Sequence, residues 1–483
     1  MDWFGSASGT AWGTLGISVW RATMNGNEPD RQMNVLPRAL PSLPLVSFEE
    51  YMLVDDCPAY PMNFFARLKF SGRFDREKLN EALGVAVSRH PLLHRRVEED
   101  KRGRLQWVAA EEDMPAVEWI DVNEADAYPR CRGLDLSRRT GLHVRGLAGE
   151  ESEDLLLQFH HSCCDGMGAF QFIEDLLVLY AMACGNAPEE VSPRPLDEWL
   201  LRGRGRFHLS PLKFLRMLPD QAVGLLGARQ FLMRRPIPVV PHEPPERDET
   251  PGEAYPSTCT SCLTEDETAK LRAAAKRLGK TVNDLLLGDL FLAMNDWRKP
   301  EGFSDEDGWL RLSVPMNLRA EADRHMPAAN VVSMVFLDRK GEDFADAGRL
   351  LDGISEEMQL IKRRRLGFTF VLSLAASRFL PGGLRRQVKT DRCTATAVIT
   401  NLGSPAEHMP LTDDRGRIIV GDMVLESMEL LAPLRPYTIA AFAAFTYAGK
   451  LCVTLHHDAR YMDKSQATGL LDTYMQFLRA SSA

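Results

Sequence analysis

The clearest pattern of apolar and polar positions lies between residues 155 and 182. Leu155 to Phe159 form an apolar run, which predicts a buried strand. Asp165 and Gly166 predict a turn after this strand, and from Met167 to Met182 the apolar residues recur at helical spacing. The pattern therefore predicts a buried strand, a turn and an amphipathic helix in succession.

Two adjacent histidines, His160 and His161, lie where this strand ends. Neighbouring side chains of a strand point to opposite faces, so only one of the two imidazoles can face a given cavity. This geometry disfavours a shared metal site and predicts one chemically active imidazole beside a structural one. A neutral histidine, with an ordinary pKa of about 6.5, can accept a proton from a hydroxyl or amine at neutral pH. The alternative is that both rings pack at the edge of the core, and the spacing alone leaves the two interpretations open.

Local patterns predict further helices and strands on both sides of this unit. In the first half, Asp75 can cap a helix, and Leu105 to Val117 and Gly141 to Leu147 have the pattern of short strands. In the second half, Thr264 and Glu267 form a capping box that opens another helix. The last segments predict strands at Ile418 to Leu431, Tyr437 to Tyr447 and Lys450 to Leu455, and a helix from Asp463 to Arg479.

Positions 189–256 contain eleven prolines, which oppose regular structure and predict a crossover between two halves. Within this segment, Arg202 to Arg235 interleaves eight basic residues with large apolar residues and carries one acid, Asp220. The segment from Lys362 to Lys389 has a similar composition, with eight basic residues and no acid. Each segment can be a solvated basic helix that packs on its own lobe, or a surface for an anionic lipid or a phosphorylated substrate.

The composition limits the class of protein. The 483 residues are 45% hydrophobic and 26% charged, which is ordinary for a globular chain of two to three domains or for one bilobal enzyme. The net charge of −9 does not indicate nucleic-acid binding, which a basic surface would favour. No stretch approaches the roughly 20 apolar residues of a membrane-spanning helix. The N-terminal residues lack the basic start of a signal peptide, so the cytoplasm is the expected compartment, with a peripheral contact to a membrane as one interpretation.

The nine cysteines are an odd, scattered set, which predicts reduced thiols. Cys259 and Cys262 form a single pair without a second pair or suitably spaced histidines, so no metal site is predicted.

The run His160-His161-x-x-x-Asp165-Gly166 resembles the HHxxxDG signature of a large acyltransferase superfamily. This superfamily includes peptide-synthetase condensation domains, wax ester synthase/diacylglycerol acyltransferases and alcohol acetyltransferases. The resemblance implies that His161 is the general base and that His160 supports it. It also implies that Asp165 is a structural anchor and that Gly166 permits the turn.

Further segments resemble the same superfamily in the same order. Relatives show an "RHPxLRxxF"-like stretch whose second arginine pairs with the motif aspartate. In this chain His94 takes that place, and Arg95 and Arg96 follow as candidate supporting residues, only one of which can face inward on a strand. Val314 to Arg319 resembles the family's "vPvxLR…gN" segment, and Thr400 to Pro405 resembles its late "N-v-x-G-P" turn. The resemblance implies a substrate-binding set of Asn283, Asp284, Arg319, Asn330 and Asn401, although Asn283 and Asp284 taken alone are a typical helix-start pair.

The resemblance extends from about Leu43 to the C-terminus and implies an α/β fold. Two lobes, each like chloramphenicol acetyltransferase, are expected to form a V with a channel at their junction. The predicted divisions are an N-terminal leader at 1–42, for which disorder is one interpretation, and an N-terminal lobe at 43–188 that carries the motif. A proline-rich basic linker at 189–256 and a C-terminal lobe at 257–483 follow.

The function implied by the resemblance is acyl transfer from a thioester, acyl-CoA or an acyl carrier, to an alcohol or amine. His161 would act as the base, with no covalent intermediate and no tightly bound cofactor. Backbone N–H groups around Gly166 or the Asn401 side chain are candidates for holding the oxyanion. The expected partners are a small-molecule or lipid acceptor, an anionic membrane and an acyl carrier protein. Two alternatives stay open, namely a non-catalytic domain that docks a carrier protein and a Cys–His hydrolase with Cys163 or Cys164 as its nucleophile.

Overall fold

Two six-stranded sheets form the centres of two α/β lobes, and a small three-stranded sheet accompanies the first lobe. The computed structural model describes residues 40–482 except 111–112, 122–127, 150–151, 253, 304–307 and 389–391. The leader predicted at 1–42 therefore lies almost entirely outside the described residues.

The strands and helices alternate along both halves of the described chain. The strands are β1 (Leu43–Pro44), β2 (Asn63–Ser71), β3 (Arg95–Glu99), β4 (Leu105–Ala109), β5 (Val117–Asp121), β6 (Leu142–Ala148), β7 (Ser152–His160), β8 (Ser257–Cys262), β9 (Leu310–Asn317), β10 (Val332–Arg339), β11 (Ala397–Asn401), β12 (Ile419–Val420), β13 (Met423–Leu431), β14 (Ala440–Tyr447) and β15 (Lys450–His457). The helices are α1 (Ser47–Asp55), α2 (Arg76–Arg89), α3 (Gly166–Ala183), α4 (Pro211–Met233), α5 (Glu265–Arg277), α6 (Val282–Arg298), α7 (Ala347–Arg363), α8 (Gly367–Ser377), α9 (Gly383–Val388) and α10 (Lys464–Ser481).

The first lobe is built on a sheet with the strand order β12-β13-β2-β7-β6-β5. Its central strands β2 and β7 pair antiparallel over nine residues, with Asn63 opposite His160. Helices α2 and α3 pack together over this sheet and bury its apolar face. The predicted cap of α2 is confirmed, because the Asp75 side chain accepts a hydrogen bond from the backbone of Lys78.

Helix α3 is the predicted helix after the histidine pair, and it begins and ends within a residue of the predicted positions. Among the described residues, it is the one helix with the length and apolar composition of a membrane span. Because 67% of that stretch is buried inside the protein, α3 serves here as the core helix of the first lobe.

The second lobe is built on a sheet with the strand order β10-β9-β11-β14-β15-β8. Helices α6 and α10 pack on each other and on this sheet, with Phe291 and Tyr474 in the core. The predicted capping box is confirmed at the start of α5, where Thr264 and Glu267 exchange hydrogen bonds.

The chain returns from the second lobe to the first before it ends. Strands β12 and β13 extend the first sheet, and Leu431 on β13 lies opposite Phe65 on β2. The predicted C-terminal lobe at 257–483 therefore does not coincide with one sheet, because residues 419–431 complete the sheet of the other lobe.

The predicted linker at 189–256 contains a 23-residue helix, α4. Pro211 stands at the first helical position, where an N–H group would have no partner within the helix. Pro219 lies inside α4 on its exposed side. A helix in this part of the segment agrees with the interpretation of Arg202 to Arg235 as a basic helix, which the sequence left open beside the lipid or phosphate surface.

The prediction that all the cysteines are reduced thiols is contradicted at one pair. Cys262 on β8 lies opposite Cys452 on β15, and the two sulfur atoms form a disulfide. No local pattern indicates this pair, because the two cysteines are 190 positions apart and meet only through strand pairing.

Candidate active site

A cavity of about 440 Å³ lies where the two lobes meet. Its walls come from β2, α1 and α3 on one side and from β9, β10, β11 and α8 on the other. The lining is largely apolar and includes Phe48, Tyr51, Phe64, Phe170, Phe336 and Phe370. A concave, mostly apolar site of this size is typical of a small-molecule binding site.

His161 lies in the wall of this cavity, one residue beyond the end of β7. Its backbone N–H donates a hydrogen bond to the carbonyl oxygen of Met62 (2.7 Å), which continues the pairing of β7 with β2 by one residue. His160 is fully buried, and its Nδ1 accepts a hydrogen bond from the backbone of Ser162 (3.1 Å). One imidazole therefore reaches the cavity while its neighbour is structural, as the alternation of a strand predicts.

Burial lowers the pKa of His161 below its ordinary value of 6.5, while the charge of Asp165 and nearby backbone carbonyls act in the opposite direction. The ring is therefore neutral at neutral pH, which is the state a general base needs. Asn330 holds the residue in place, because its Nδ2 donates a hydrogen bond to the backbone oxygen of His161 (2.6 Å). The same Nδ2 lies 3.5 Å from Nδ1 of the ring, which is long for a hydrogen bond.

The carboxylate of Asp165 joins the two lobes beside His161. Its Oδ1 accepts a hydrogen bond from the backbone of Gly168 (2.9 Å) and so caps α3. Its Oδ2 accepts hydrogen bonds from the backbone of Val331 (2.8 Å) and from Nη1 of Arg319 (2.7 Å). Asp165 is 1% exposed, and its oxygens are occupied in fixing α3 to the second lobe. This arrangement suits an anchor, the role that the family resemblance implied.

Neither Arg95 nor Arg96 braces Asp165, so their expected supporting role is corrected. Arg95 is buried and donates hydrogen bonds to carbonyl oxygens just before β1, because the inner face of β3 is turned toward that segment. Arg96 points outward and forms an ion pair with Glu98. Arg319, expected among the substrate-binding residues, supplies the missing partner instead.

Gly166 serves a different purpose from the predicted one. It lies in the first turn of α3, and its φ angle is outside the left-handed region that favours glycine. A Cβ atom at this position would lie 2.8 Å from Cδ2 of Leu402, in the turn after β11. The glycine is therefore explained by the close approach of the second lobe and not by a turn conformation.

Asn401 lines the cavity at the end of β11, and Asn283 supports it from outside the lining. Nδ2 of Asn401 donates to Oδ1 of Asn283 (3.2 Å), and Oδ1 of Asn401 accepts a hydrogen bond from the backbone of Gly403 (3.0 Å). Asp284 is buried, and it closes the capping box of α6 with Thr281. The expected substrate-binding role of Asp284 is therefore corrected to a helix-start role.

Cys163 and Cys164 are both fully buried. Burial raises the pKa of each thiol well above its ordinary value, which disfavours the thiolate that a nucleophile requires. Cys163 packs against Gly141, where no side chain larger than hydrogen fits. The alternative of a Cys–His hydrolase is therefore contradicted.

A charged pair in the cavity wall was missed by the sequence reasoning. Nε of Arg435 lies 2.5 Å from Oδ2 of Asp55, and both residues line the cavity. The guanidinium also lies 5.6 Å from the ring centre of Tyr51, whose pKa burial raises to about 12. The two charged residues come from opposite ends of the chain, so no local pattern could have paired them.

Comparison with known proteins defines the class to which this fold and site belong. The family model of the condensation domain matches residues 56–202, which include the whole histidine–aspartate motif. The first condensation domain of the calcium-dependent antibiotic synthetase, in complex with a substrate analogue, superposes with a TM-score of 0.67 at 16% identity and covers 92% of this chain and 97% of its own. A mutant starter condensation domain of rhizomide synthetase, in complex with C8-CoA and Leu-SNAC, superposes with a TM-score of 0.62 at 15% identity and covers 91% and 94%.

Residues 56–202 are similar to the condensation domain, and the chain has the two-lobed α/β fold of condensation domains, in which each lobe is like chloramphenicol acetyltransferase. Among curated proteins, it is similar to an uncharacterized protein of Mycobacterium tuberculosis, with 26% identity over 380 residues, 75% of this chain and 83% of the relative. The resemblance and the fold class predicted from the sequence are confirmed. A general transferase activity agrees with this similarity, whereas the donor and the acceptor remain predictions.

Proposed function

We propose that this protein transfers an acyl group from a thioester, in the first place acyl-CoA, to an alcohol or amine, with His161 as the general base. The proposal rests on one observation above all. The imidazole of His161 lies in the wall of an apolar cavity between two lobes, where burial lowers its pKa and favours the neutral ring. A nitrogen in this situation can accept the proton of a bound nucleophile.

The proposed reaction has one tetrahedral intermediate. His161 takes the proton of the acceptor hydroxyl or amine as its oxygen or nitrogen attacks the thioester carbonyl carbon. The carbonyl oxygen becomes an oxyanion, and the carbon–sulfur bond then breaks. The thiolate leaves with the electron pair and receives the proton from the imidazolium. General-base catalysis of this kind contributes about 10²–10⁴-fold to a rate.

The first turn of α3 supplies the donors that we propose for the oxyanion. Gly166 and Met167 line the cavity, and the N-terminus of a helix carries unpaired N–H groups and a partial positive charge. Asn401 is the weaker candidate, because its amide is already bonded to Asn283 and to the backbone of Gly403.

The apolar lining supports an apolar acyl chain or acceptor. The aromatic rings that surround the cavity offer contact area and few hydrogen bonds, which favours hydrocarbon over a polar chain. The complex of the related starter condensation domain with C8-CoA supports CoA as the carrier of such a chain.

A carrier protein as donor or docking partner is the second candidate. It is favoured by the match to the condensation-domain family, whose structural relatives here are domains of synthetases. The same cavity and the same imidazole would serve it, so the two candidates differ in the surface that the donor contacts.

The test is a panel of acyl-CoAs against alcohols and amines, scored by release of free thiol with and without the acceptor. We expect acceptor-dependent release from medium- or long-chain acyl-CoA, and a loss of about 10²-fold or more in His161→Ala. His143→Ala is the matched control, because His143 is a partly exposed histidine on β6 that pairs with Glu118 away from the cavity. Full activity of His161→Ala would contradict the assignment of His161 as the general base. Turnover with acyl-carrier thioesters alone would favour the second candidate.

A further inference from the structure

Helix α4, which follows the first lobe and precedes the second, exposes most of its apolar side chains. The described part of the chain has fourteen exposed large hydrophobic side chains, of which eight lie on α4 and two follow α8. The residues on α4 are Leu212, Phe214, Leu215, Leu218, Leu225, Leu226, Leu232 and Met233, and those after α8 are Phe379 and Leu380. Single exposed apolar residues are normal on a protein surface, whereas a concentration on one element marks an interaction surface.

Only a narrow stripe of α4 is buried against the protein, at Met217, Gln221 and Gly224. Leu226 comes nine residues after Met217, which is two and a half helical turns, so it points to the opposite side. It is 62% exposed. Met233, 67% exposed, follows Leu226 by about two turns and faces the same way. The outward face of α4 is therefore apolar.

Cations without partners flank these apolar side chains. Lys213, Arg216 and Arg229 are exposed on α4, and within the described residues none of them has a carboxylate partner. The acid of this helix, Asp220, is already paired with Arg364 (2.9 Å). A helix with exposed leucines and uncompensated cations has the composition of an interfacial helix on an anionic bilayer. The whole chain has a net charge of −9, so an attraction to such a bilayer must come from this local surface.

The inner side of α4 packs against the cavity wall. Phe231 of α4 packs on Phe336 with ring centres 4.6 Å apart, and Phe336 packs on Phe370 at 5.9 Å. Phe336 and Phe370 both line the cavity. The inner side of α4 therefore contacts a side chain that lines the cavity, while its opposite side remains exposed.

The turn after α8 and the segment that leads into α4 both contact the first part of α1 and the residue before it. Arg378 forms an ion pair with Glu50 of α1, and Gly205 packs closely against Val46, directly before α1. The turn with Phe379 and the segment that leads into α4 therefore flank the same helix. Phe379 is 90% exposed.

We propose that α4 and the Phe379–Leu380 turn form a docking surface for an anionic lipid bilayer. The apolar side chains enter the boundary between headgroups and acyl chains, and Lys213, Arg216 and Arg229 contact the anionic headgroups. This inference goes beyond the proposed acyl transfer and does not depend on it, since its test measures binding and not turnover.

The experiment is flotation of the full chain with vesicles of phosphatidylcholine alone and with about 30 mol% phosphatidylglycerol. We expect binding to the anionic vesicles, weakened by added salt, and little binding to the neutral ones. The double variant Leu215→Glu/Leu226→Glu is expected to lower the partition coefficient at least about tenfold, since two apolar side chains that would enter the bilayer become charged. Replacing Lys213, Arg216 and Arg229 by Gln is expected to lower binding by about fivefold for each cation.

Leu278→Glu is the matched control. Leu278 is also an exposed leucine, 49% exposed, at the end of α5 in the other lobe, and its neighbours Lys276 and Arg277 can accommodate a carboxylate. We expect this variant to bind vesicles like the wild type, and thermal melts check that all variants are folded. Absence of vesicle binding, or binding that the α4 variants leave unchanged, overturns the proposal. A second result would also overturn it: the wild type sediments as a dimer, the double variant sediments as a monomer, and neither binds vesicles. The partner of this surface would then be a second copy of the chain.

Discussion

At the scale of single residues, Arg319 decides how the loop with His161 is held. The carboxylate of Asp165 is almost fully buried, and Arg319 is its charged partner across the lobe junction. Removing one partner of a buried pair leaves an uncompensated charge, which costs about 3 kcal/mol or more. We therefore expect Arg319→Ala to lower the free energy of unfolding by about 3 kcal/mol and to reduce kcat/KM strongly. Denaturant unfolding and thiol release measure the two effects.

The control for this prediction is Arg96→Ala. Arg96 is the residue that the sequence offered for the same role, but its ion pair with Glu98 is exposed at both ends. Removing an exposed pair is expected to change the free energy of unfolding by less than about 1 kcal/mol and to leave turnover intact. Equal losses in the two variants would contradict the assignment of the brace to Arg319.

The lowered pKa of His161 leads to a prediction for the pH dependence of turnover. The base must be neutral, and burial makes the ring harder to protonate than an ordinary histidine. Activity should therefore persist on lowering the pH through 6.5 and fall only at lower pH, as the ring takes up its proton. The profile of kcat/KM against pH measures this, and the residual activity of His161→Ala should lack that acid limb. A midpoint above 6.5 would contradict the assignment of the limb to this ring.

The orientation and role of a residue were predictable where they depend on neighbours along the chain, and not where they depend on distant contacts. The opposite orientations of His160 and His161 follow from strand alternation alone. The contact of Arg319 with Asp165 spans 154 positions, and nothing near either residue indicates it. Arg95 and Arg96 were chosen because they follow His94, which takes the family arginine's position, but the path of β3 directs Arg95 toward the segment before β1.

At the scale of elements, the approach of α3 to the second lobe depends on a glycine. A Cβ atom at Gly168 would lie 3.0 Å from the backbone nitrogen of Ala329 and 3.1 Å from its oxygen. These are backbone atoms that cannot rotate away, so Gly168→Ala must push α3 from the segment that holds Asp165 and Asn330. We expect a cost of about 1–3 kcal/mol in unfolding free energy and a loss of turnover, measured as for Arg319→Ala.

Gly84→Ala is the matched control, because Gly84 lies inside α2 and a Cβ atom there has no neighbour within 4 Å. Alanine has a higher helix propensity than glycine, so this variant should be more stable by about 0.5–1 kcal/mol and equally active. If Gly168→Ala were also neutral or stabilising, the close contact between α3 and Ala329 would not exist in solution.

Elements with a strong local signal were predicted well. The periodicity from Met167 to Met182 predicted α3, and the caps at Asp75 and Thr264 predicted the starts of α2 and α5. Helix α4 was predicted only as one interpretation of the basic segment, and its bounds were not predicted. Its buried stripe is too narrow to produce a clear amphipathic pattern, and the leucines that would signal a core face point outward instead.

At the scale of the whole molecule, the two lobes share one chain path and cannot be separated by a single cut. Strand β13 pairs with β2 along the first sheet, and its side chains Leu425 and Leu430 are buried in the first core. Local patterns predicted these strands but could not assign them to a sheet, because pairing between distant strands depends on the complete fold. The predicted division at residue 257 therefore describes the order of the chain and not the boundary between cores.

This topology predicts that the halves of the chain do not fold on their own. The fragment 43–256 lacks β13, which leaves the edge of β2 unpaired and part of the first core open to water. The fragment 257–483 would in turn expose the buried leucines of β13. We expect each fragment alone to lack a cooperative thermal transition by circular dichroism and to aggregate, whereas the two fragments produced together should assemble into one species with restored turnover. The intact chain should unfold in a single calorimetric transition, because β13 and the contacts of Asp165 couple the lobes. A fragment 43–256 that melts cooperatively near the temperature of the intact chain would show that the first lobe is independent of β13 and would contradict the coupling of the two lobes.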